Sequence, residues 1–174
     1  SFWYVINKEL KYLPYADDFG PYNLGTVYAF CQSITKLLCE HTERHVGVLS
    51  ANDSKSIANA VFLVGAYLIM RHNADVESIE SSMQDLLPRA ASYCDATPGG
   101  GDFLLGVRDC WAGLHKARTL RWISFTNPDD SLINMDDYAE LDDPLNADMH
   151  VVVPDKLIAM RGPRDLGGRD YADL

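Results

Sequence analysis

The residues of this chain best suited to nucleophilic chemistry are four cysteines, Cys31, Cys39, Cys94 and Cys110. A cysteine attacks as the thiolate. Hydrolysis of a phosphate ester through it also needs an arginine, six positions on in the same loop, whose planar fork grips the phosphoryl oxygens. The sixth residues after the four cysteines are Leu37, His45, Gly100 and Lys116 in turn, so none has the pattern. Cys39 with Arg44 is one residue short and falls at the end of a helical stretch rather than after a strand. Most of these cysteines therefore read as small hydrophobes on apolar helix faces.

Other chemistries fare no better. Cys39, His41 and His45 make three closely spaced metal-ligand types, and His115 lies five residues after Cys110, but no second pair stands at finger-like spacing; neither a metal nor any other cofactor is expected. The triplet Gly99-Gly100-Gly101 lacks the Lys-Ser or Lys-Thr of a nucleotide-binding loop and reads as a flexible turn. Ser50, Ser54 and Ser56 lack the G-x-S-x-G context of a hydrolase elbow. Asp17-Asp18, beside Gly20-Pro21, suits a turn better than a cation site.

The elements that must position these residues alternate. Trp3 to Ile6 reads as a strand, followed by a turn-rich stretch to Pro21. A helix then starts at the N-cap Asn23 with Leu24, Val27, Cys31, Ile34 and Leu38 as its stripe. Val46 to Leu49 is a short strand, Ala51 to Ser54 a polar loop, and Ile57 to Met70 an apolar helix. Further helices run over about Asp75 to Leu87 and from Leu104 to the basic stretch Lys116 to Arg121, where cations suit a helix C-terminus. Trp122 to Phe125 is a strand candidate, Asp129 to Asp148 an acidic stretch, and Val151 to Val153 and Leu157 to Met160 are apolar runs. The alternation argues for an α/β layered fold, and the length of 174 residues suits a single domain over 1–174.

With 47% hydrophobic and 23% charged residues the composition is that of a globular chain, and its formal charge of −10 repels nucleic acid and anionic lipid. The longest apolar run, Ala60 to Met70, has eleven residues, short of the roughly 20 a membrane helix needs. No disulfide framework and no signal peptide are read from the sequence, which points to the cytosol or nucleus.

The heptapeptide Asp18-Phe19-Gly20-Pro21-Tyr22-Asn23-Leu24, with Tyr28 and Cys31 beyond it, resembles the D-F-G-P-L-N-L stretch of the cell-division-cycle-fourteen dual-specificity protein phosphatases. Three more blocks follow in that family's order: Ala58 to Tyr67, Asp109 to Leu114 with Lys116-Ala117, and Pro154 to Met160 with Gly162-Pro163. Together they cover roughly residues 2–163. Such phosphatases join two phosphatase-like domains, and only the second carries the H-C-x-x-G-x-x-R loop; this chain resembles the first. The resemblance therefore implies a dual-specificity-phosphatase-like layered domain, a central sheet flanked by helices, with a degenerate phosphate loop. Leu49 stands at the cysteine position and Lys55 at the arginine position. Leucine offers no nucleophile, and lysine is a point charge without a fork.

The resemblance further implies a partner, the C-terminal catalytic phosphatase domain, and phosphoprotein substrates with basic residues near the phosphosite, met by acidic side chains of the first half. Carried over, those positions are Asp142 and Asp148, while Ala139 stands where the family has a carboxylate. The segment after Pro163 reads as the start of a linker, and the chain as an excised domain that is inactive alone. The rival reading is a free-standing pseudophosphatase that binds a protein or forms a homodimer.

Overall fold

The computed structural model describes residues 1–6, 10, 12, 14, 17–96, 103–126, 133–143, 146, 148–153, 155–160 and 162. The glycine triplet Gly99 to Gly101 lies outside them. The chain packs as two compact units, Ser1–Thr119 and Leu120–Leu174. Its class is mixed α/β, as the alternation of apolar patterns implies.

In the first unit, strand β1 (Phe2–Val5) pairs in parallel with β2 (Val46–Leu49), Phe2 opposite Val46 and Val5 opposite Leu49. Parallel neighbours need a crossover, and helix α1 (Leu24–Glu40) lies in it. Asn23 starts α1 by accepting the Thr26 amide at 2.9 Å. The helix buries Val27, Phe30, Cys31 and Ile34, three and four residues apart on one face; Leu38, expected on that stripe, is 38% exposed, and Phe30 fills the core in its stead. Gly47 is dictated by its neighbour across the ladder, because a Cβ there would lie 2.4 Å from Cζ3 of Trp3.

Helix α2 (Ser54–His72) is the hub of this unit. Eleven of its residues, from Ile57 to Met70, are buried around most of its circumference, which is why its sequence is apolar with little periodicity. Asn73, left-handed at φ 59°, ends it after Arg71, whose charge suits the negative end of the helix. The shorter helix α3 (Val76–Ser82) is capped by Asp75. The periodicity predicts this helix as far as Leu87, but the chain turns after Ser82 and tightens into a 3₁₀ turn at Leu87–Arg89, where Pro88 offers no amide to an α-helix.

Helix α4 (Val107–Thr119) packs against α2 through Trp111, which is fully buried and donates its indole N–H to the Phe62 carbonyl at 3.1 Å. Its Arg108 meets Glu80 and Glu77 of α3 at 2.8 and 3.5 Å. Isolated bridges pair Phe19 with Cys94 and Tyr93 with Leu105, and the Phe19 and Tyr93 rings lie 5.0 Å apart. Tyr12 donates to the Asp18 carboxylate, while Asp17 is exposed.

In the second unit, helix α5 (Met135–Asp142) forms within the acidic stretch, its first amides at Asp136 and Asp137 accepted by Asn134. Strands β3 (Met149–Val153) and β4 (Leu157–Met160) form an antiparallel pair with Met149 opposite Met160. The strand expected at Trp122 to Phe125 does not form: Ile123 and Phe125 are buried, which explains the alternating pattern, but no strand among the described residues pairs with them and Arg121 sits in a left-handed turn at φ 58°.

Candidate functional site

Strand β2 ends by delivering Leu49 to the mouth of the loop Ser50 to Asp53, and α2 starts immediately after it. The Leu49 side chain is apolar and 49% exposed. Lys55, in the first turn of α2, directs its ammonium over the Phe19 ring, 5.2 Å from the centroid, a cation–π contact. Asp53 accepts the Ser56 amide at 2.9 Å. That hydrogen bond, aided by the Ser56 hydroxyl, holds the Asp53 carboxyl below the usual carboxylate range. The amide cluster at the start of α2, which could receive an anion, is thus already served by a carboxylate of the chain. No thiol stands in this loop. Burial pushes the Cys31 thiol up to about 12 and the Cys110 thiol up to about 11, so neither ionises readily.

A cavity of about 300 Å³ opens beside the loop, lined by Val48 to Asn52, by one face of α2 and by Met83, Leu86 and Arg89. Arg89 reaches back to donate to Asn52 Oδ1 at 2.6 Å. Sequence reasoning missed Arg89, because its partner is 37 positions away and no local pattern announces the contact.

The two carboxylates carried over from the resemblance come together on a third residue. His150 of β3 places Nδ1 3.0 Å from Asp142 Oδ1 and Nε2 3.7 Å from Asp148 Oδ1. Asp142 is the last residue of α5, and Asp148, left-handed at φ 47°, leads into β3. The three side chains are 22%, 33% and 44% exposed for Asp142, Asp148 and His150. Exposed pairs of this kind contribute little to stability. Sequence reasoning missed His150, because its closer partner Asp142 lies on α5 and the left-handed turn at Asp148 that separates them has no local signature.

Of the three clustered metal-ligand types, His41 stacks on the Phe2 ring at 4.5 Å between centroids. Among the described residues no group of three His, Cys, Asp or Glu side chains is arranged to hold a metal ion, and no helix is long and apolar enough to cross a membrane.

The fold and the loop can be set beside known proteins. The model of the family described as dual specificity protein phosphatase, N-terminal half, matches residues 1–117. The dual specificity protein phosphatase CDC14C of Symphalangus syndactylus is 30% identical over 166 residues, covering 92% of this chain and 33% of the relative. CDC14C of Homo sapiens is 30% identical over 92% of this chain and 35% of its own length. The tyrosine-protein phosphatase cdc-14 of Caenorhabditis elegans is 28% identical over 92% of this chain and 23% of its own length. The chain thus spans about a third or less of the relatives it matches. The family match contains β1, β2 and α2 with the loop between them, and on that ground the chain belongs to the family of dual-specificity protein phosphatase N-terminal halves, of the CDC14 type.

Proposed function

We propose that this chain is the non-catalytic half of a dual-specificity protein phosphatase, supporting a C-terminal catalytic domain and helping to select phosphoprotein substrates with basic residues near the phosphosite. The observation that carries the reading is the strand, loop and helix from Val46 to His72, which has the layout of a cysteine phosphatase loop but offers Leu49 and Lys55 in place of a thiolate and a guanidinium. Support for the selecting role comes from Asp142 and Asp148, partly exposed and converging on His150, an arrangement that could exchange the imidazole for a lysine or arginine of a peptide.

The test has two arms. The chain alone is expected to show no turnover of a small aryl phosphate above a blank, and the double change Leu49→Cys, Lys55→Arg is expected to stay inactive. The reason for the second is that the loop has no glycine to let amides converge on a phosphate, and Asp53 sits where the anion would go. Phosphatase activity in the unaltered chain would sink the non-catalytic reading; activity in the double variant would show that the loop is better formed for phosphate than its lack of glycine implies. In a protein that joins this chain to its catalytic half, Asp142→Asn with Asp148→Asn should lower kcat/KM for phosphopeptides with basic flanks and leave the aryl phosphate untouched. An equal fall for both substrates would give the carboxylates a purely structural role.

A further inference from the structure

We infer that the cavity between the Ser50 to Asp53 loop, α2 and the 3₁₀ turn is a docking pocket for a partner peptide that inserts one large apolar side chain and follows it with a carboxylate.

The pocket's interior fixes the first half of that description. Leu49, Ile57, Val61, Val64, Met83 and Leu86 supply its walls, and its volume of about 300 Å³ exceeds that of any single side chain these walls would receive. Leu49 and Leu86, at 49% and 41% exposed, belong to the small set of large hydrophobic residues this unit leaves in contact with solvent. Leucines held half-open at a cavity expose apolar area that burial under a partner would remove, at about 25 cal/mol per Å². A concave apolar surface that can take a single anchor is the usual centre of a protein-binding hot spot.

Charge fixes the second half. None of the residues lining the cavity is acidic, in a chain whose formal charge is −10. The charged group at its rim is Arg89, whose described partner is the neutral Asn52 amide oxygen; no carboxylate among the described residues pairs with it. One of its donors is used to hold the guanidinium at the loop, and the rest of the fork remains for a bidentate anion. An acidic ligand would otherwise be repelled by the chain, so a carboxylate is accepted here only because Arg89 is local and the apolar anchor brings it within reach. This pocket needs no phosphate chemistry and would serve a partner whether or not the two-carboxylate site selects substrates.

Random peptides displayed on phage are panned against the full chain, and the recovered peptides are synthesised and titrated by fluorescence anisotropy. The expected motif is one Leu, Ile, Met or Phe with an Asp or Glu within the next two positions. Ala60→Trp, which fills the cavity from the face of α2, should weaken those peptides by about tenfold or more. Arg89→Glu, which reverses the exposed charge at the rim and keeps the apolar lining, should weaken them as well and, when panned itself, should recover Lys or Arg in place of the acid. Circular dichroism of both variants checks their fold. Recovery of no shared motif overturns the inference. So does a motif whose binding neither variant alters, since it would dock elsewhere. Perturbation of the pocket methyls by octanoate but by no recovered peptide would also overturn it and give the cavity to small amphipathic anions.

Discussion

Two residues show how far single side chains decide the behaviour of this domain. Gly65 sits in the middle of α2, where alanine would ordinarily gain about 1 kcal/mol of helix propensity. A Cβ there would lie 2.2 Å from Cε2 of Trp111, whose ring is fully buried and tied to Phe62. Gly65→Ala is therefore expected to destabilise by about 1–3 kcal/mol, as overpacking does, read as a lower denaturant midpoint at constant slope. A gain in stability would mean that the α2–α4 contact is looser than drawn. The cysteines give a second test at this scale. Cys39 is exposed while Cys31 is buried with its thiol pushed up to about 12, and Cys110 is held up to about 11 by burial first and by Asp109 second. Iodoacetamide at pH 8 followed by peptide mass mapping should modify Cys39 first and Cys31 last; equal labelling would indicate local opening of α1.

At the scale of elements, α2 starts on a cap, the Asp53 carboxylate on the Ser56 amide. Asp53→Ala removes the acceptor of the Ser56 amide and should lower the thermal midpoint. Because the folded carboxyl lies below its ordinary range, the contribution of Asp53 is fully present above that range and disappears as pH falls through the folded value. The gap between wild type and variant should thus close in acid; a gap that persisted there would assign the effect to something other than the ionised cap. This cap was not called from the sequence, although Asp-Ser before an apolar run announces it, whereas Asn23 was legible as the cap of α1. What the sequence made plain was local: the strands β1 and β2, the hub helix, and the three- and four-residue stripe of α1. What it hid depended on distant partners. The expected strand at Trp122 to Phe125 has no strand partner among the described residues, α3 ends at Ser82 where the Met83 amide turns back to the Glu80 and Ile79 carbonyls, and Arg89 and His150 acquired their roles only when Asn52 and Asp142 were brought to them. The layout around Leu49 and Lys55 was readable because a strand, loop and helix are contiguous; the cavity beside it draws on α3 and the 3₁₀ turn and was not.

For the whole molecule, the division into Ser1–Thr119 and Leu120–Leu174 places the largest of the fully buried side chains among the described residues, Trp111, Phe30, Ile6, Leu63 and Ile69, in the first unit. A chain cut after Thr119 should keep a cooperative thermal transition followed by circular dichroism at about 222 nm, a standard wavelength for helix; a broad, non-cooperative melt would show that the first unit does not fold independently. The parallel pairing of β1 with β2 carries a last consequence, and it concerns time. Phe2 cannot find its place until Val46 exists, and at 5–20 residues per second the ribosome needs roughly 2–9 s to make the intervening chain. During that interval the aromatic run Phe2-Trp3-Tyr4 has no β2 to pair with, and α1, whose contacts are local, can coil first. Synthesis and closure therefore run in different orders: β1 is made before α1 and β2, yet its ladder is secured only after both exist.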